Sequence, residues 1–245
     1  MDKKNIKLTI EYDGTDFCGW QVQPGKRTVQ GEIEHALKML SGQNIRITAS
    51  GRTDSGVHAL GQVANFIIES GLPMQAYKQG LDRLLPPDIT IHDAAVERIS
   101  FNARRDAKRR IYRYIISKVT KSVGRQYSWK PRFRLQTHPM KMAAEFLAGE
   151  HDFSAFCKTA SNTGDCSSVV YRSEFLENDS ELIFEIEAIR YFHNMIRIIV
   201  GTLAEVGRGK LQPEDFNRII LSKNRNLAGP TAPAHGLYLV KVLYP

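Results

Sequence analysis

Ile45-Arg46-Ile47-Thr48 alternates apolar with polar, and Gln62-Val63-Ala64-Asn65-Phe66-Ile67-Ile68 does so again more loosely. Between them runs Ala49-Ser50-Gly51-Arg52-Thr53-Asp54-Ser55-Gly56-Val57-His58-Ala59, which alternates with nothing. A period of two on either side of an aperiodic polar stretch predicts strand, loop, strand. Gly51 and Gly56 bracket the loop and offer it backbone angles that other residues resist. Inside the brackets sit a cation (Arg52), a hydroxyl (Thr53) and a carboxyl (Asp54), with His58 close behind. On pattern alone the same residues also suit a polar connection in which Asp54 bonds only its own backbone.

Working outward, Ile6 to Tyr12 alternates as a strand and Asp13-Gly14 turns it. Phe17-Cys18-Gly19-Trp20-Gln21 reads as a loop with two exposed aromatics. Val29, Ile33, Leu37 and Leu40 then form an apolar stripe at helical spacing, after Thr28. Beyond the central loop, Met74, Tyr77, Leu81 and Leu84 share a second helical face, and Ile89 to Val96 is the next strand. The first half is thus β-α-β-β-α-β. The second half repeats the order: a strand at 110–116, a helix from near Pro139 to Gly149, and strands at 169–177 and 182–189. A helix over 192–206, a short one from Pro213 and a closing strand at 237–243 follow. Two ferredoxin-like halves, residues 1–105 and 106–245, are expected. The fold class is α+β with mostly antiparallel sheets and a central cleft where the halves meet.

The chain has 245 residues, 42% hydrophobic and 24% charged, the balance of an ordinary globular protein. No apolar run approaches the roughly 18 residues of a membrane span. Met1-Asp2-Lys3-Lys4-Asn5 leads straight into a strand, so no signal peptide is expected. Cys18, Cys157 and Cys166 lack metal spacing and are odd in number. A cytoplasmic protein without metal or cofactor is the expectation. The net charge of +8 is concentrated: residues 98 to 134 hold 13 Lys and Arg against the single acid Asp106. The rest of the chain is therefore net negative. Phe101, Tyr112, Tyr114, Tyr127, Trp129 and Phe133 are interleaved with those cations. That combination suits phosphates and unstacked bases together.

Gly51-Arg52-Thr53-Asp54-Ser55-Gly56-Val57-His58-Ala59 resembles the signature of the bacterial tRNA pseudouridine synthases of the TruA type. Further matches extend the resemblance over nearly the whole chain. Phe101-Asn102-Ala103-Arg104 and Ala107-Lys108-Arg109-Arg110-Ile111-Tyr112-Arg113-Tyr114 resemble the family's basic strand entry. Phe192-His193-Asn194-Met195-Ile196-Arg197-Ile198-Ile199-Val200-Gly201 resembles its second-domain helix. Gly149-Glu150-His151-Asp152-Phe153 and Gly229-Pro230-Thr231-Ala232-Pro233 resemble its later loops. Two departures are visible: the segment between Phe156 and Tyr171 is less basic than expected, and Ala234 stands where a second proline is usual.

The resemblance implies that Asp54 is catalytic, that Tyr112 is the active-site tyrosine, and that Arg197 pairs with the aspartate. It also implies a homodimer acting on tRNA, with targets near about positions 38 to 40 of the anticodon arm. Turning uridine into pseudouridine transfers neither electrons nor phosphate, so neither a redox cofactor nor ATP is required. A carboxyl suits cleavage at C1′ as nucleophile, as stabiliser of developing positive charge, or as base toward the ribose. The base must first leave its stack. Arg52 is placed to fill the gap or to hold the flanking phosphate, and Arg104, Lys108, Arg109 and Arg110 to track phosphates, with His58 either structural or a further contact. Two other functions fit the composition: an RNA-binding protein without chemistry, and a nucleoside or glycoside hydrolase.

Overall fold

The computed structural model describes residues 3–158 and 165–245. The chain divides into two compact units, Met1–Lys108 with Tyr238–Pro245, and Arg109–Leu237. Both are mixtures of helices with mostly antiparallel strands.

In the first unit β1 (Lys3–Tyr12) lies between β3 (His58–Glu69) and β4 (Ile89–Glu97), antiparallel to both. Ile6, Leu8 and Ile10 of β1 are wholly buried, as the alternation requires. The helix α1 (Val29–Ser41) lays Val29, Ile33, Ala36 and Leu37 into this core. Thr28 starts it by accepting the Gly31 amide, and Gly42 stops it at φ 73°. A π-helical turn, Ala76–Gly80, leads into the short α2 (Leu81–Leu84).

The strand expected over 45–48 is reduced to β2 (Thr48–Ala49), which pairs with β3 at Asn65 and Ala64. Ile45 and Ile47 are buried, so the alternation was sound. The Ile47 amide, however, donates to Glu34 Oε1 of α1 at 3.0 Å instead of to a neighbouring strand. A side chain has taken the bond that a ladder would have used. The aromatics read as exposed, Phe17 and Trp20, are each only 2% accessible.

The free edge of β3 near its start is covered by β9 (Leu237–Leu243), running parallel through His58↔Tyr238 and Ala59↔Leu239. Gly61 permits this, since a Cβ there would fall 2.6 Å from the Val240 carbonyl oxygen. The closing strand expected with residues 106–245 therefore belongs to the first unit from Tyr238 onward. The boundary expected after residue 105 lies at Lys108.

The second unit lines up β5 (Arg109–Ser117), β8 (Glu181–Ala188), β7 (Ser167–Glu177) and β6 (Gly149–Asp152), every pair antiparallel. β6 reads only as a loop, because Gly-Glu-His-Asp has no apolar alternation; it is an edge strand paired with β7, and Asp152 at its end also meets Lys223 at 3.1 Å. The helices are α3 (Thr137–Glu145), α4 (Met195–Gly207) and α5 (Pro213–Ser222). Pro213 opens α5, and Asp215 accepts the Gln212 amide at 2.9 Å. Helix α4 begins three residues later than its apolar stripe suggests, because Asn194 takes a left-handed φ of 63°. No helix among the described residues is long and apolar enough to cross a membrane.

Helix α4 is buried on nearly every side, and one contact explains how. A Cβ on Gly201 would lie 1.7 Å from the Pro230 carbonyl oxygen, and one on Gly229 would lie 2.8 Å from Thr202 Cα. The segment from Gly229 to Ala232 thus rests backbone on backbone against the helix. Thr202 Oγ1 accepts the Gly229 amide at 2.9 Å. Gly201→Ala should cost about 2 kcal/mol or more in urea unfolding. Gly71→Ala, whose Cβ would meet nothing within 4 Å, should stay within about 1 kcal/mol of the parent. An unchanged unfolding midpoint for Gly201→Ala would refute the close packing.

Candidate active site

The loop joining β2 to β3 carries Arg52, Asp54 and, at its exit, His58. Arg52 and Ser55 are exposed, Asp54 is half-buried, and Thr53 and Val57 are buried. The alternation of exposure shows a loop anchored at every second or third residue. Thr53 Oγ1 shares a 2.7 Å hydrogen bond with the Tyr12 hydroxyl, and its carbonyl accepts the Trp20 amide at 3.1 Å. Ser55 Oγ donates to Phe17 O at 3.1 Å, and Val57 N to Asp54 O at 3.2 Å. On the other side, Gln62 accepts from Ser50 Oγ at 2.7 Å and donates to Gly51 O at 3.0 Å. Asp54 is therefore the guest of a loop whose two neighbours are fixed.

Two glycines outside the loop bring its backbone so close. A Cβ on Gly14 would fall 2.1 Å from the Val57 carbonyl oxygen, and one on Gly19 2.7 Å from that of Thr53. Gly19 has φ 85°, which a side chain resists as well. Within the loop only Gly56 uses the left-handed region, at φ 76°; Gly51 does not.

His58, expected to be either structural or a contact to RNA, lies inside the unit. It is 2% accessible, stacked on Tyr238 with ring centroids 4.7 Å apart. Its Nδ1 lies 3.0 Å from the Gly14 amide and 3.1 Å from Asp13 Oδ1. An amide only donates, so Nδ1 is the acceptor of the Gly14 bond. Its burial makes His58 a support under the loop.

The same unit displays Arg104 and Lys108 on its surface. Their segment is tied down by buried amides. Asn5 Nδ2 donates to Phe101 O at 2.8 Å, Asn65 Oδ1 accepts the Ala103 amide at 2.8 Å, and Tyr244 OH donates to Ala103 O at 2.7 Å. Asp106 accepts the Asn102 amide and pairs with Arg105 and Arg98, which together hold its carboxyl below the ordinary range.

The second unit holds Arg109, Arg110, Tyr112 and Arg197. Tyr112 and Tyr114 share the buried face of β5. Tyr112 meets the ring of Tyr191 edge-on at 4.9 Å. Tyr191 donates to Ile186 O at 2.9 Å, and burial, reinforced by Tyr112, raises its phenol well above the usual range. Tyr114 donates to Pro233 O at 2.8 Å and is also pushed up by burial. Arg109 is partly committed: it pairs with Glu187 at 2.8 Å and lies over Tyr171 at 4.4 Å. Arg110 reaches Ile189 O at 2.7 Å.

Arg197, at the first turn of α4, is half-buried. Its Nε donates to Ala232 O at 2.7 Å and its Nη1 to Asn194 Oδ1 at 2.9 Å. The Ala232 amide returns a bond to Arg197 O at 3.0 Å. So the Gly229–Ala232 segment, pressed against α4 at Gly201, also aims this guanidinium. Asn194 both ends the preceding loop and grips the arginine. His193 precedes the helix and is exposed.

One unit thus carries a half-buried carboxyl on an anchored loop with the exposed Arg52 two residues before it, and the other an arginine held by Ala232 and Asn194. The class of protein is given by comparison with known proteins. A family model described as tRNA pseudouridine synthase matches residues 8–106 and 143–245. The tRNA pseudouridine synthase A of Caldicellulosiruptor saccharolyticus is 44% identical over 244 residues, covering 98% of this chain and 100% of the relative. Those of Acetivibrio thermocellus and Anoxybacillus flavithermus are 43% and 42% identical, each over 98% of this chain and 100% and 99% of the relative. The chain belongs to the tRNA pseudouridine synthase family.

Sequence reading passed over Gly14, Gly19, Asn194 and Ala232 as parts of this machinery. A glycine in a turn gives no sign of what it touches, and a backbone carbonyl such as that of Ala232 gives none at all. His235 lies in the same unit as Arg197. That ring is half-buried near Arg197, and burial first, then the arginine, lowers its pKa below the ordinary 6.5, against a bond to the Ser128 backbone. The folded state thus binds the His235 proton less readily than the unfolded one. Stability from this group is present above pH 6.5 and is lost as pH falls from there toward the folded value. Urea midpoints followed from pH 7.5 to 5.5 (about one unit either side of an ordinary histidine) should decline, and His235→Gln should decline less. Equal declines would exclude His235 as the cause.

Proposed function

We propose that the chain converts uridine to pseudouridine in tRNA, with Asp54 as the catalytic group acting on a flipped-out nucleotide. The family fixes the reaction as an isomerisation: the N1–C1′ bond breaks, the uracil turns, and C5 bonds to C1′ while N1 gains a proton and C5 loses one. The observation that carries the assignment is the anchoring of the Asp54 loop. Its flanking residues are fixed by Tyr12, Trp20, Phe17 and Gln62, while Asp54 itself is half-buried and Arg52 beside it exposed. One fixed carboxyl serves either as nucleophile toward C1′ or as the charge that stabilises a developing cation there.

In this reading Arg197 pairs with Asp54 and fixes its direction; its own rigid hold by Ala232 and Asn194 supports the role. Tyr112 contributes a flat ring, backed by Tyr191, against which an extruded uracil stacks. Arg52 fills the space the base leaves. Arg104, Lys108, Arg109 and Arg110 follow phosphates, so affinity falls as salt rises. The substrate region is the anticodon stem-loop, and the enzyme acts in the cytoplasm as a homodimer.

The same reading takes the two units as ferredoxin-like halves around a central cleft, one contributing Asp54 and the other Tyr112 and Arg197. The placement of β1 between β3 and β4, with β2 on the far side of β3, supports the pattern in the first unit. In the second, β5, β8 and β7 stand side by side in the equivalent order.

Asp54→Asn should lower pseudouridine formation in a tRNA transcript by about 10³-fold or more, with tRNA affinity within about threefold of the parent. Product at parental rates would remove Asp54 from the chemistry; release of free uracil would instead mark a hydrolase. Arg197→Lys should lower turnover about tenfold or more while binding is retained, since lysine cannot reproduce a forked contact. Equal losses of both would make Arg197 a binding residue only.

A further inference from the structure

The basic run from residue 98 to 134 is used above only as far as Arg113. Its remainder leaves β5 at Lys118 and returns beside the same strand. Trp129 is bonded to it by its amide to Ile115 O at 2.9 Å and by its carbonyl from Ser117 N at 2.8 Å. From there the chain runs through Pro131, Phe133 and Leu135 to Gln136, whose amide donates to Gly207 O at 2.8 Å. Pro131 is buried and Phe133 half-buried beneath Arg208, 4.2 Å from the ring centre. Arg132 and Arg134 alternate with them and are exposed.

These arginines border a groove of about 770 Å³ whose opposite wall is the end of β5 and the β7–β8 hairpin. Lys118, Lys130, Arg132 and Arg134 line it, and Glu177 is the one acid among its lining residues. Glu177 is already neutralised by Lys118 at 2.8 Å and Lys141 at 3.1 Å. Lys130 bonds the Lys118 carbonyl. Among the described residues, no hydrogen bond or ion pair engages the guanidinium of Arg132 or Arg134. They stand two residues apart, on either side of the half-buried Phe133. Hydroxyls of Ser117, Thr120 and Thr137 complete the lining.

Two rulers place the groove away from the proposed chemistry within the second unit. Ser117 is five residues along β5 from Tyr112, about 16 Å at strand rise. Gly207, which anchors Gln136, is ten residues along α4 from Arg197, about 15 Å at helical rise. A single nucleotide at Tyr112 does not span that distance, whereas several nucleotides of one RNA strand are long enough to.

We propose that this groove is a second phosphate site, in which Arg132 and Arg134 grip the backbone of the tRNA substrate outside the reacting nucleotide. The proposal rests on the tRNA-modifying reading above. Phosphate oxygens are its ligand chemistry. The groove is open and carries two uncommitted guanidiniums along with Lys118 and Lys130, which suits the successive phosphates of a polymer better than a single small anion.

The test is equilibrium binding of an unmodified tRNA transcript across about 50 to 200 mM salt, with the parent, Arg132→Ala/Arg134→Ala and Arg132→Lys/Arg134→Lys. The alanine pair should weaken affinity about tenfold or more and flatten the slope of log K against log salt by about 1.4 to 1.8. Its kcat/KM should fall through KM. The lysine pair should recover most of the affinity and slope, because phosphate accepts any cation. Unchanged affinity and slope in the alanine pair would overturn the proposal. So would a lysine pair as weak as the alanine pair, since the defect would then be one of packing. A titration with inorganic phosphate separates the sources: millimolar phosphate bound by the parent but not the alanine pair, with tRNA affinity equal in both, would make this a small-anion site and overturn the RNA assignment. Should the parent bind tRNA as described yet form no pseudouridine, the proposed reaction fails and the groove stands.

Discussion

The arrangement of the candidate site depends on backbone pressed against backbone at glycines. Gly14 and Gly19 admit the carbonyls of Val57 and Thr53, and Gly201 admits that of Pro230, each at a distance that no side chain tolerates. Such contacts have few soft degrees of freedom. A side chain can rotate away from its partner at a cost of about 1 kcal/mol, whereas shifting a packed backbone disturbs everything bonded to it. A loop led into by a strand of only two residues, β2, has little ladder of its own to hold Asp54 in place. The two glycines supply what the strand does not. Positioning within a fraction of an ångström is the condition under which a carboxyl does chemistry.

The second unit solves the same problem by the same means. Arg197 sits on a buried helix, yet its guanidinium is aimed by a carbonyl from a segment 35 residues away in sequence. That segment is fixed because Gly201 and Gly229 let it lie against the helix backbone. The line of dependence runs from two missing Cβ atoms, through the Ala232 carbonyl, to one cation. Asn194 adds a side-chain grip and, through its left-handed φ, sets where α4 begins.

Much of the fold was legible because burial follows period. The stripes of α1 and α4 and the alternation of β1 and β5 are buried where apolar residues recur. Ile45 to Ile47 shows the limit of that rule: the alternation correctly gave burial but not hydrogen bonding, because Glu34 claimed the Ile47 amide. β6 shows the converse, since backbone pairing needs no apolar pattern. The place of β9 was illegible, because a closing strand reads the same whichever sheet edge receives it. Of the candidate site, Arg52, Asp54, Tyr112 and Arg197 were legible through motif resemblance. Their supports were not, being carbonyls and glycines. The weakly basic segment after Phe156 falls in part, at 159–164, outside the described residues.

Charge was the feature most easily overread. Thirteen cations between residues 98 and 134 suggest a uniformly phosphate-binding strip. Yet Arg98 and Arg105 serve Asp106, Arg109 serves Glu187, Arg113 serves Glu185, Lys118 serves Glu177 and Lys121 serves Glu181. Arg113 in particular meets a Glu185 that is only 7% accessible, so much of its charge is spent inside the sheet face. The more exposed pairs are worth little in water, but each still competes with phosphate for the same cation. The salt dependence of RNA binding counts cations that release counterions, not cations in the sequence. It is therefore the placement of carboxylates on β7 and β8 that decides which arginines of the opposing strand remain for RNA. In this chain they leave the loop from Lys130 to Arg134 richer in uncommitted charge than the strand from Arg109 to Ser117.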